Sequence, residues 1–369
     1  MPGLVKKTEN PFFLYHYPLR VSAMCHLAGY VGDRPIASLL LRSIELQEPY
    51  SAGHASGLAV IDDGILKIEK DIGHVARVRS TTKIESLEGT TGIAHSRYSS
   101  RLIRDPRYNT REMAHPFIDD TGTIALMHNG DFDNYRELWN ELRGAHTFRS
   151  YLAEVDDITD SEVTVHMLSD HIAEGMTMEE GLRSIASRLQ GTFLLACIST
   201  EQPETIWIAN WYQRCVVAVG ENEAMFSSSP IGFHEVRDDL VRMFEPPKNS
   251  LLKLTRKGVE VMPLDPSRRA PQLELDKSEL GAHILDLLSG KGELDYKVLE
   301  RRLNENGLAQ ALGISQEKWE EYRRAGVTVV NPYIKTLDTL IARGKIRERI
   351  DLRPEGGISD TPRYSYSLI

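Results

Sequence analysis

Four short strings hold the residues whose types suit nucleophilic chemistry that passes through an oxyanion. Cys25 stands directly after Met24, at the start of a strand-like run LAGYVG (27–32). An isolated cysteine beside a strand ordinarily serves as a small buried apolar residue. Its place after a methionine adds a second reading. Loss of Met24, or of everything before Cys25, leaves a cysteine whose own α-amino group, with a pKa of ~7.7–8.0, can accept the thiol proton. Nucleophile and base then share one residue. In ALMHNGDFDNYRELWNEL (125–142), Asn129 and Gly130 read locally as turn residues, where a strand runs into a polar segment before a helix. As a side-chain amide beside an accessible backbone N–H they also make a two-donor oxyanion hole. Arg97 closes the strand-like TGIAHSRYSS (91–100), where a guanidinium is either a surface residue or a fork for a carboxylate. Asp160, in DITDSEVTVHML (157–168), reads as a helix N-cap and equally as a carboxylate able to pair with an ammonium group.

The elements that must position these residues follow from periodicity. Strand-like runs at 27–32, 57–63, 91–98 and 123–130 are separated by helical patterns at 34–47, after an Asp33 cap, at 133–144 and at 160–175, the last two ending at glycines. Later runs, among them GTFLLACIS and LLKLTRKGVEVMPL, make the second half strand-rich. This is an α+β pattern. The polar, proline-containing stretch at 268–277 reads as a linker. Beyond it, helical patterns at 280–290, 295–307, 315–326 and 332–346 precede a hairpin at 346–355 and 361–369, so residues 278–369 are expected to form a winged-helix-like domain.

Taken in order, MC-LAGYVG, GHASGLAV, GIAHSRYSS, MAHPFIDD, LMHNGDFDNYRELWNEL, TDSEV and LQGTFLLACI resemble the class II glutamine amidotransferase domain. The resemblance covers about two-thirds of the chain, and a domain over 25–267 is expected. It implies a four-layer αββα N-terminal-nucleophile sandwich and hydrolysis of the glutamine side-chain amide through a γ-glutamyl thioester. Cys25 matches the family's nucleophile, and Asn129 and Gly130 match its oxyanion pair. Arg97 matches the arginine for the α-carboxylate and Asp160 the acid for the α-amino group, with Ser100 and Gly130 placed in the same glutamine pocket. No cofactor and no metal are implied, and His95, His115 and His128 match histidines of structural role. The chain departs from the family at His26, where glycine is usual, and in SAGHASG (51–57), which keeps little beyond Gly57; Tyr98, Ser99 and Ser100 are milder changes.

Composition bounds what remains. Hydrophobic residues make up 41% and charged residues 26% of 369, the balance of a soluble globular chain. A net charge of −9 argues against a coat for nucleic acid or anionic membrane, and no apolar run reaches the ~18 residues of a spanning helix. Three scattered cysteines exclude a disulfide framework and point to the cytoplasm. Residues 1–24 read as a propeptide or a misassigned start; a third reading leaves Cys25 never freed. With only about 100 residues after position 270, no synthase is expected on this chain; either a separate synthase subunit receives the ammonia or the protein is a free-standing glutaminase, and an oligomer is expected. The segment 271–369 carries 15 Lys plus Arg against 16 Asp plus Glu, and this near-neutral balance favours docking to a protein over DNA. The alternative reading is a non-hydrolysing glutamine sensor that acts through its C-terminal domain on DNA or a protein.

Overall fold

The strand His26–Val31 is buried at all six positions, as a strand covered on both faces must be. In the computed structural model, which describes residues 24–268, 277–305, 308–319, 332–351 and 362–369, it lies inside a seven-stranded sheet. The order is Leu240–Phe244, Val216–Gly220, Glu223–Ser227, His26–Val31, Thr91–Arg97, Ala55–Asp62 and Ile65–Ile72. A six-stranded sheet runs Gly258–Pro263, Asn249–Thr255, Ile206–Trp211, Gly191–Ser199, Ile124–Phe132 and Phe117–Ile118. Neighbouring strands pair antiparallel throughout both sheets.

Alternation of side chains along each strand gives every sheet two apolar faces. The inner faces meet in a core that includes Leu27, Ile93, Met127, Leu194, Ile208 and Phe226. The outer face of the first sheet packs on Ile36–Glu45 through Leu40, Leu41 and Ile44. The outer face of the second packs on Asp160–Ala173 and Met178–Arg188 through Leu168, Leu182 and Ile185. The order of layers is helix, sheet, sheet, helix.

A third core belongs to the C-terminal elements. Helices Lys277–Lys291, Tyr296–Leu303 and Pro332–Ala342 pack with a three-stranded sheet, in which Arg363–Leu368 lies between Leu294–Asp295 and Ile346–Asp351. Tyr50 leaves the first sheet's side to join this core. It stacks on Tyr364 at 5.0 Å between ring centroids and meets Tyr296 edge-on at 4.8 Å. Lys297 Nζ donates to Tyr50 O at 2.7 Å, and Tyr364 donates its hydroxyl to Leu46 O.

Three local expectations change. Asp33 does not cap the first helix: Pro35 precedes Ile36, and Asp33 instead pairs with Arg256 at 2.6 Å. Asn129 and Gly130 are not turn residues but lie inside the nine-residue strand Ile124–Phe132, opposite Leu194 and Phe193. Thr159 occupies the N-cap position of the helix that begins at Asp160. Residues 1–23, nearly all of the expected linker and most of the helix expected at 315–326 lie outside the described residues. Among the described residues no helix is long and apolar enough to cross a membrane.

Candidate active site

The register that opposes His26 to Ser96 brings Cys25 alongside the end of Thr91–Arg97. There the Tyr98 amide N–H points to Cys25 Sγ at 3.3 Å, and Sγ lies 3.5 Å from Tyr98 O. The residue as a whole is half-buried, but enclosure of its sulfur pushes the thiol up to about 12. Arg97 opposes that shift, while Asp131 and Asp160 add to it. At neutral pH such a thiol stays protonated. Attack by sulfur therefore needs a base that takes the proton as the new bond forms.

The backbone of Met24, just before Cys25, is held by Ser51. Its hydroxyl accepts from Met24 N at 3.0 Å, donates to Met24 O at 2.7 Å and lies 3.1 Å from His26 Nε2. His26, the departure from glycine, is thus buried and structurally bonded. Burial lowers its imidazole to about 3, with Arg214 and Lys297 acting in the same direction. Gly57, retained from the family pattern, runs against the chain at His115: a Cβ there would lie 2.0 Å from His115 O.

Arg97 is 6% exposed. Its guanidinium donates only to Tyr108 O at 3.4 Å and toward Met113 Sδ at 4.0 Å, and no carboxylate pairs with it among the described residues. A buried cation with weak neutral partners is costly. Burial accordingly lowers its affinity for a proton, with Cys25 and Asp160 acting the other way. Such a group is prepared for an anion.

Asn129 presents the complementary case. The residue is 3% exposed and Nδ2 has no hydrogen-bond partner among the described residues. A buried amide donor without an acceptor costs about 1–3 kcal/mol. Gly130, next to it, has φ +134°, and a Cβ there would lie 1.9 Å from Thr192 O, so only glycine fits. Behind the pair, His95 Nε2 lies 3.0 Å from His128 O and ties the strand of Arg97 to that of Asn129. His128 Nδ1 and His115 Nε2 lie 3.1 and 2.7 Å from Ser161 Oγ, and this joins the same strand to the helix that begins at Asp160. The three histidines therefore sit in a buried bonded cluster.

Asp160 is at the first helical position, where a carboxylate is favoured by the helix dipole. One oxygen accepts from Phe132 N at 3.3 Å and lies 3.8 Å from His128 Nδ1. Ser100 opens the short helix Ser100–Arg104 and is half-buried; its hydroxyl accepts from Arg104 at 3.4 Å. Cys197 and Cys215 are fully buried in apolar surroundings.

Two residues that the sequence did not single out support the site. Buried Glu48 accepts from Ser96 Oγ at 2.7 Å and Val75 N at 3.1 Å beneath the Arg97 strand, and burial raises its carboxyl to about 7. Buried Asp157 receives Arg101 at 3.1 Å and the Tyr108 and Tyr135 hydroxyls at 2.8 and 2.9 Å. It fixes the segment leading to Asp160 against the one after Arg97. Neither has a signal in its neighbours along the chain, because every one of these partners except Ser56, also on Glu48, is more than 20 residues away.

A glutamine amidotransferase domain profile matches residues 101–231. The glutamine–fructose-6-phosphate aminotransferase (isomerizing) of Pyrobaculum aerophilum is 32% identical over 203 residues, covering 54% of this chain and 31% of that protein. The protein of the same name from Streptococcus pyogenes serotype M6 is 28% identical over 262 residues, covering 70% and 41%. The chain thus spans well under half the length of these curated relatives. Among solved structures, the glutamine phosphoribosylpyrophosphate amidotransferase of B. subtilis superposes with a TM-score of 0.54 at 16% identity, covering 73% of this chain and 58% of that one. An allosteric regulatory enzyme of purine biosynthesis superposes at 0.56, also at 16% identity, covering 79% and 64%. The matched profile and the curated relatives agree on a class II glutamine amidotransferase domain in this chain, and its layered fold is shared with the solved amidotransferase.

Proposed function

We propose that this domain hydrolyses the side-chain amide of glutamine through a thioester on Cys25 and hands the ammonia to a synthase on another polypeptide. One observation carries the reading: among the described residues the buried Arg97 guanidinium beside the Cys25 thiol has no carboxylate partner, and the buried Asn129 Nδ2 has no acceptor. Glutamine supplies both missing partners. Its α-carboxylate suits Arg97, its ammonium suits Asp160, and its amide oxygen becomes an oxyanion for Asn129 Nδ2 and the Gly130 N–H. Ser100 is proposed to border the same pocket.

In the proposed reaction Cys25 Sγ attacks the amide carbon, and the thiol proton passes to the α-amino group of Cys25. That group then protonates the departing nitrogen, the C–N bond breaks, ammonia leaves and a thioester remains. Water adds to the thioester carbon, and its proton restores the thiol by way of the amine as glutamate departs. The scheme requires Cys25 to be the terminus, through removal of residues 1–24.

The C-terminal helices and hairpin are proposed to act as a winged-helix-like module that docks a protein partner. Its contact with Tyr50, one residue from Ser51, gives a route between partner and nucleophile. The same contact favours the second reading, a glutamine sensor without turnover. Intact-mass measurement of protein made in cells, followed by an assay of ammonia release, tests the proposal. A free Cys25 terminus with turnover lost in Cys25→Ala is expected. A verified free terminus without turnover, with candidate synthases supplied, refutes hydrolysis; a glutamine-dependent change that survives Cys25→Ala then supports sensing.

A further inference from the structure

We infer that Asp120, His146 and His166 form a binding site for a divalent transition ion of the zinc type, separate from the Cys25 site. No ligand motif marks these residues, which are scattered along the chain. Asp120 lies in the turn after Phe117–Ile118, His146 follows the helix Tyr135–Leu142, and His166 lies on the helix Asp160–Ala173. Folding gathers one ligand atom from each to within 4.8 Å of the others. Asp120 Oδ2 is 3.0 Å from His146 Nδ1 and 3.8 Å from His166 Nδ1. Four ligands at ~2.0–2.2 Å in a tetrahedron stand about 3.4 Å apart, between these two distances.

His166 points to a ligand independently. It is fully buried, and neither ring nitrogen has a hydrogen-bond partner among the described residues. Its Nε2 lies 4.0 Å from Glu162, whose two oxygens already accept from Arg149 N, Ser150 N and Ser150 Oγ. A buried imidazole without partners is rare in a native structure. An ion on Nδ1 satisfies it.

His146 has the arrangement of a metal-ligating histidine. Its Nε2 lies 3.0 and 3.1 Å from the two oxygens of Asp170, a contact that suits a proton on Nε2 and, in that tautomer, a lone pair on Nδ1. That lone pair would face Asp120 Oδ2 at 3.0 Å, acceptor against acceptor, unless a cation lies between them. Hydrogen bonds from His146 to both Asp120 and Asp170 would relieve that pair but leave His166 bare. An ion accounts for both. Asp120 is exposed, which gives entry and leaves a fourth position for water. Two imidazoles and one carboxylate suit zinc and exclude calcium or magnesium as the preferred occupant.

The ion would pin three segments together on the helix that begins at Asp160. His166 is six residues along it, about 9 Å at 1.5 Å per residue. Its role is to brace that helix rather than to touch substrate. The test uses the full chain after chelation, titrated with Zn²⁺ by calorimetry and with Co²⁺ by visible absorption. The same titrations are made in Cys25→Ala, so that binding at the thiol is recognised. One equivalent of Zn²⁺, a tetrahedral Co²⁺ spectrum independent of Cys25 and a raised unfolding midpoint with Zn²⁺ are expected. Affinity should fall about 100-fold or more in His166→Phe and in Asp120→Asn. The exposed Asp120→Asn keeps the test available should His166→Phe fail to fold. No saturable binding, or binding unaffected by Asp120→Asn, overturns the assignment.

Discussion

Replacing Asn129 by alanine separates catalysis from stability more sharply than any other change at this site. The proposed role of Nδ2 is to donate to the oxyanion, and loss of one such donor costs about 2.7–4 kcal/mol, or roughly 10²–10³ in kcat. The residue is 3% exposed, so water cannot easily substitute for the missing donor. The effect should therefore lie near the upper figure, about 10³. Stability should move the other way. Nδ2 has no partner in the resting protein among the described residues, and its removal relieves a desolvation cost of about 1–3 kcal/mol, offset in part by a small void. The variant should unfold in urea at the same or a higher concentration than the parent. The assay is steady-state ammonia release from protein whose terminus is verified as Cys25, with urea unfolding alongside. A fall in kcat below tenfold would refute the donor role. A large fall accompanied by a clear loss of stability would show that Asn129 supports the fold rather than the transition state.

Two further expectations rest on other groups. Arg97→Ala should raise KM for glutamine by about 10–100-fold, the worth of a charge-assisted carboxylate pair, with less effect on a substrate whose α-carboxylate is amidated. Equal effects on both substrates would remove Arg97 from the pocket. Glu48, raised by burial to about 7, carries a proton in the folded state that it releases near 4.5 when unfolded. Its contribution is present at pH 4 and lost as pH rises through 7, a span worth about 3 kcal/mol. Glu48→Gln should flatten that decline, as read from urea midpoints at pH 5 and 8, and an unchanged pH slope would show that the carboxyl is ionised throughout.

Much of the fold was legible because strands and helices announce themselves through local period. The runs at 27–32, 57–63, 91–98 and 123–130 all became strands within two residues of their expected bounds, and the helices at 34–47 and 160–175 became Ile36–Glu45 and Asp160–Ala173. Asn129-Gly130 shows where local reading stops. The pair has turn propensity, but a ladder with Gly191–Ser199, more than 60 residues away, holds both in a strand. Strand pairing supplied from a distance outweighs a local preference of a few tenths of a kcal/mol to about 1 kcal/mol.

By itself the sequence determined the residue types of the candidate chemistry and their order, from Cys25 through Arg97, Asn129 and Gly130 to Asp160, since order and local pattern are properties of the chain alone. Only the tertiary structure decided which polar groups have partners. Arg97 is buried without a carboxylate, Asn129 Nδ2 without an acceptor and His166 without any hydrogen bond among the described residues, while Glu48, Ser51 and Asp157 are fully engaged. Satisfaction of a buried polar group depends on atoms brought from distant parts of the chain, and burial removes the water that would otherwise make every such group equivalent.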